Sequence, residues 1–69
     1  MAISRNEKLQ NASDIYEMIM KCKTESDCER VSDRLDEALL AGFIFKKSYK
    51  FLSEELDSQI SYLVGEGLI

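Results

Sequence analysis

The 69-residue sequence has no histidine and no proline, only two cysteines and three glycines, and no long apolar run. Each absence closes off a class of protein. A structural zinc site wants four N or S ligands and cannot be assembled from two thiols alone, so no metal and no cofactor are expected. Cys22 and Cys28 close at most one bridge, whereas disulfide-framed mini-proteins of this length usually carry about four to eight cysteines. They read as reduced, intracellular thiols. Met1-Ala2-Ile3-Ser4-Arg5-Asn6-Glu7-Lys8 offers no apolar stretch for a signal peptide, and no later run approaches a membrane span. The expected location is the cytoplasm, with no membrane partner.

Cations are also short, at nine Lys and Arg against thirteen Asp and Glu, for a net charge of −4. A chain that gains affinity by neutralising phosphates runs basic, so direct nucleic-acid binding is not expected. The acid is unevenly placed. Residues 1–23 sum to +1, residues 24–42 to −4 and residues 43–69 to −1. An apolar fraction of 45% beside 32% charged residues argues against disorder. A chain this short nevertheless buries only about 60% of its unfolded surface, which leaves a thin core needing a supplement. With bridges and metal set aside, regular helix packing or a second chain remains.

What is present is helical periodicity. Glycine occurs only at 42, 65 and 67, and between these positions apolar residues recur at steps of three and four. Ser4-Arg5-Asn6-Glu7 has the spacing of a capping box and opens a first helix, with a stripe of Leu9, Ala12, Tyr16, Ile19 and Lys23 widened by Ile15, Met18 and Cys22. Lys21 and Lys23 fall where cations meet the negative end of its dipole. Thr24 and Ser26 are both candidate caps for a second helix, and Ser26-Asp27-Cys28-Glu29 is again a capping-box pattern. The seam of this helix is Cys28, Val31, Leu35, Ala38 or Leu39, and Gly42, flanked by charge in a coiled-coil-like pattern too short for a coiled coil. Gly42 suits a left-handed C-cap. A third helix carries Phe45, Tyr49, Leu52, Leu56, Ile60 and Leu63, and Gly65 and Gly67 stop it. The pattern predicts one domain over residues 1–69. Its class is all-α, a small three-helix bundle or a helical hairpin with a shorter first helix. Phe43, Ile44, Phe45 and Phe51 cluster where a monomer would expose them, so self-association as a homodimer or higher homo-oligomer is expected.

Candidate chemistry is sparse. Glu54, Glu55 and Asp57, like Asp33 and Glu37, read as solvated carboxylates without a buried His, Lys or metal to tune them. Cys28 stands near a helix N-terminus but among Glu25, Asp27 and Glu29, which oppose a thiolate, so both thiols read as packing residues. The acidic face of the second helix suggests a phosphate mimic, but Arg30 and Arg34 interrupt it, which favours a solubilising face. Lys46, Lys47 and Lys50 are the exception to local helix physics, because cations at a helix start oppose its dipole. Either the helix starts later, with these lysines in a solvated turn, or they meet an acidic partner surface or the acidic second helix of a neighbouring copy.

Two stretches carry family resemblances. Lys21-Cys22-Lys23-Thr24 followed by Glu29-Arg30-Val31 resembles the Hha/YmoA nucleoid co-regulators, which implies a small helical protein that binds the H-NS dimerisation region. That family's Asp-His-Arg stretch has no counterpart here, where the chain reads Leu52-Ser53-Glu54-Glu55-Leu56-Asp57. Arg34-Leu35 through Gly42, then Tyr49 to Leu63, resembles the hairpin of type III secretion co-chaperones of the YscE kind, which implies help in holding a needle subunit. Both resemblances imply a non-enzymatic helical module that binds a protein, such as a bacterial or phage regulatory adaptor. The expected partner-binding residues are Phe43, Phe45, Lys46, Lys47, Tyr49, Lys50 and Phe51, together with the apolar seam of the second helix.

Overall fold

Three helices account for most of the computed structural model, which describes residues 3–69: α1 (Arg5–Lys21), α2 (Glu25–Leu40) and α3 (Lys46–Gly65). No strand occurs among the described residues. Met1 and Ala2, which open the N-terminal octapeptide, lie outside them.

The helix ends follow from local hydrogen bonding. Ser4 Oγ accepts from the Glu7 backbone N–H at 3.2 Å and satisfies one of the orphan donors that open α1. Lys23 lies beyond the end of α1, so only Lys21 sits in its last turn. At α2 the cap is Thr24, whose Oγ1 accepts from the Asp27 N–H at 3.1 Å, while the Asp27 carboxylate accepts from the Lys23 N–H at 3.3 Å. The working box is thus Thr24-Glu25-Ser26-Asp27, and Ser26 falls inside the first turn. The bond from the Lys23 backbone, then Thr24, and Arg30 in a lesser part, hold the Asp27 carboxyl below its ordinary pKa.

Gly42 ends α2 at φ +74°, with the Phe43 N–H donating to the Ala38 carbonyl and the Gly42 N–H to that of Leu39, the paired bonds of a Schellman motif. Gly67 repeats it after α3, with Leu68 donating to Leu63 and Gly67 to Val64. Gly65 stays helical, so the stop belongs to Gly67 alone.

Short turns make α1 and α2 antiparallel, and α2 and α3 likewise, so α1 and α3 run parallel. All three helices feed one core. Ile15, Ile19 and Cys22 come from α1, Cys28, Val31, Leu35 and Ala38 from α2, and Leu52, Leu56 and Leu63 from α3, with Ile44 from the second turn. Since α1 packs against both other helices and at 17 residues is not the shortest, the architecture is the three-helix bundle and not the hairpin. Gln59 Nε2 donates to the Cys22 carbonyl at 3.2 Å and Asn11 Nδ2 to that of Phe43 at 2.9 Å, tying each turn to the helix that passes it. The bundle is slender, 43 × 16 × 15 Å.

One stripe sits differently from its sequence reading. The buried line of α1 is Ile15, Ile19 and Cys22, while Leu9 and Tyr16 lie on the outside with Met20. Helical geometry advances 100° per residue, so Leu9, Tyr16 and Met20 share a second apolar strip on the flank facing α3. α1 has more apolar surface than its core face can bury.

Candidate interaction surfaces

α3 begins at Lys46, so the three lysines lie in its opening turns and not in a solvated loop. The conflict is real: Phe45 caps the helix without a side-chain bond, and no acid stands in the first turn. Helical spacing divides the lysines. Lys46 and Lys50 continue through Ser53, Asp57, Ile60 and Val64 along the flank facing α2, whereas Lys47 shares the opposite flank with Phe51.

The seven expected partner-binding residues therefore spread around the end of α3. Phe43 sits in a shallow groove between α1 and α2 with Asn11, Met18 and Arg34. Phe45 is half-buried, with Lys8 Nζ 4.9 Å above its ring. Tyr49 is half-buried and donates its hydroxyl to Asp36 Oδ1 at 2.9 Å, bridging α3 to α2. Ile44 corrects the apolar cluster on which self-association was expected. At 3% exposure it is a core residue, drawn in because the Schellman turn points the residue after Phe43 back into the bundle.

Phe51 anchors the α1/α3 flank. It is 51% exposed and stacks on Tyr16 with ring centroids 6.1 Å apart and planes 20° from parallel. The pair lines an open groove of about 500 Å³ with Ala12, Ser13, Ser48 and Leu52, and Lys47 stands on its rim. Leu9 and Met20 extend the exposed apolar strip along α1, and Tyr62 follows Phe51 on the same side of α3. Sequence periodicity alone puts Leu9 and Tyr16 in the core stripe without Met20, although their separations of seven and four are the signal of this second strip.

The α2/α3 flank is built differently. Cys28, Leu56, Ile60, Val64 and Ile69 floor a second groove of about 500 Å³, rimmed by Glu25, Glu29 and Asp57. Glu25, Glu29, Ser32 and Asp36 follow at steps of four, three and four, so the α3-facing strip of α2 carries acids and no cation. Arg30 and Arg34, read from sequence as interrupting the acidic face, stand on the other side: both line grooves toward α1. Folding separates charges that look mixed along the chain.

Little reactive chemistry accompanies these faces. Burial first, then the neighbouring Cys28 and the Asp27 carboxylate, push the Cys22 thiol up to about 11, away from the nucleophilic form. Its Sγ donates to the Met18 carbonyl at 3.2 Å, and both cysteines are buried and unbridged. Glu54, Glu55 and Asp57 fan around α3 and do not converge. Among the described residues no group of three His, Cys, Asp or Glu side chains is placed to hold a metal, and no helix is long and apolar enough to cross a membrane. Comparison with protein-family models, with curated proteins and with solved structures finds no match to the chain. The two family resemblances therefore rest on the residues quoted for them alone.

Proposed function

We propose that this chain is a non-enzymatic helical interaction module, a regulatory adaptor that works in the cytoplasm by binding another protein through the α1/α3 flank. The observation that carries this reading is the exposed Tyr16–Phe51 stack over an open apolar groove. A stacked aromatic pair at a half-exposed site keeps a large apolar area in water, and large aromatics in such settings are the usual anchors of protein interfaces. Lys47 on the rim favours a partner that presents an apolar side chain beside a carboxylate. The protonated Cys22 and the scattered carboxylates support the non-enzymatic part of the reading, and the unbridged thiols support the cytoplasmic part.

The test is affinity capture from the native cytosol with the wild-type chain and with Phe51→Asp, each first shown by circular dichroism to be helical. A protein retained by the wild type and lost with the variant supports the reading. Capture of the same proteins by both chains overturns it.

A further inference from the structure

We infer that the α2/α3 flank is the interface of an antiparallel dimer, in which the lysine end of each copy lies against the acidic end of the other. The inference does not rest on the partner reading, because it uses the opposite flank of α3. Lys46 and Lys50 mark one end of this flank, while Glu25, Glu29 and Asp57 mark the other end around an apolar groove. A face with cations at one end and anions at the other is complementary to itself under a two-fold rotation, and to no parallel arrangement of two copies.

Three further observations fit a second copy as the occupant. Lys46 opposes the dipole of its own helix with no acid in the first turn and none three or four residues on, while Lys50 has only Glu54 one turn further along, so α3 itself offers the two lysines a partial counter-charge. Asp36, on the α3-facing strip of α2, is engaged by the Tyr49 hydroxyl. The middle of the face is Ser32 and Ser53, whose short side chains let two helix pairs approach closely, and apolar surface remains exposed at Leu40 and Val64 to be covered. The axis passes near Ser53, midway along α3 between Lys50 and Asp57. A face as long as α3, about 30 Å, and 16 Å wide spans on the order of 500 Å² per copy. That is below the roughly 800 Å² per partner of a standard interface, so a weak dimer is expected, one that salt weakens further.

Charge reversal at one end at a time tests the arrangement by sedimentation velocity, with helicity checked by circular dichroism. Lys46→Glu with Lys50→Glu makes both ends acidic, and Glu29→Lys with Asp57→Lys makes both ends cationic. Each double variant alone is expected to dimerise at least about tenfold more weakly than the wild type, while an equimolar mixture of the two restores a dimer. A single Ser53→Cys substitution should give a disulfide-linked dimer under mild oxidation, because the two copies of this residue meet at the axis. The inference is overturned by a wild-type chain that stays monomeric at high micromolar concentration. It is equally overturned by variants that associate as the wild type does, or by a mixture that stays monomeric or grows beyond two chains.

Discussion

The two flanks of α3 offer different kinds of surface although they share one helix and one core. Toward α1 the exposed groups are apolar and aromatic, with Lys47 as the rim charge. Toward α2 an apolar floor is bordered by acids at one end, with Lys46 and Lys50 at the other. Lysines adjacent in sequence thus serve different faces, because 100° of rotation separates Lys46 from Lys47. A charge cluster seen along a helical sequence need not be a cluster in space. An aromatic anchor suits a partner with a matching apolar side chain, whereas a face with opposite charges at its ends suits a second copy of itself.

The largest effect should come from the residue beneath both flanks. Leu52 is 1% exposed and lines the α1/α3 groove, one turn before Leu56 in the floor of the other. Leu52→Ala is expected to cost about 2–5 kcal/mol, a large part of the stability of so small a domain, and to abolish both interactions together in urea titrations. Phe51→Ala, one residue away, removes a half-exposed ring and its stacking on Tyr16 and should cost only about 1 kcal/mol. If Phe51→Ala unfolds the chain as readily as Leu52→Ala, the aromatic flank is core and not interface.

The third flank, between α1 and α2, supplies a test of the core, because Cys22 lines its groove and lies against Cys28 in the floor of the α2/α3 groove. Burial first, with Cys28 and Asp27 nearby, pushes the Cys22 thiol up to about 11 from an ordinary 9.0. A pKa raised on folding stabilises fully below the unfolded value and loses that contribution as pH rises through the folded value. The unfolding free energy from urea titrations should therefore fall as pH rises through about 9 to 11, and the fall should be smaller in Cys22→Ala. Asp27 works in the opposite sense: its lowered pKa stabilises above the unfolded value of 3.8, and that contribution is lost as acid protonates it.

Next in size is the bridge that closes the α2/α3 flank. Tyr49→Phe deletes the hydroxyl that donates to Asp36 and should cost about 1 kcal/mol, since the bond is partly solvated. The freed Asp36 would then compete for Lys46 and Lys50 within one copy. Dimerisation should weaken while capture through the α1/α3 flank stays unchanged, and equal loss of both would show that the flanks are not independent.

Much of this architecture was legible in the residues. The α3 stripe from Tyr49 to Leu63, the α2 seam through Cys28, Val31, Leu35 and Ala38, and the Gly42 stop all follow from spacing, because one narrow apolar line has one way to face a core. α1 was harder to read. Its apolar residues cover more than half a turn, so Ile15–Ile19–Cys22 and Leu9–Tyr16–Met20 are both self-consistent lines, and only packing against two neighbours decides which is buried. Ile44 hid for a different reason. Periodicity says nothing inside a turn, and the burial of this residue comes from the Schellman geometry before it. The separation of Arg30 and Arg34 from Glu25 and Glu29 was available from rotation about the helix, but its meaning depends on which side α3 occupies.

The smallest expected effect gives the sharpest comparison. Lys46 and Lys47 occupy the first two positions of α3, where a cation faces the positive end of the helix dipole. Replacing either by Glu should stabilise the isolated fold by about 0.3–1 kcal/mol, and by similar amounts, because the dipole does not distinguish the two sides of the first turn. The interactions do distinguish them. Lys46→Glu should weaken self-association and leave partner capture intact, whereas Lys47→Glu should weaken capture and leave self-association intact. Thermal melts at low salt measure the shared gain, and sedimentation with capture measures the opposed losses. A pair of variants that gain equally in stability but lose the same interaction would mean that the lysines act as one patch, and the division of α3 into two faces would fail.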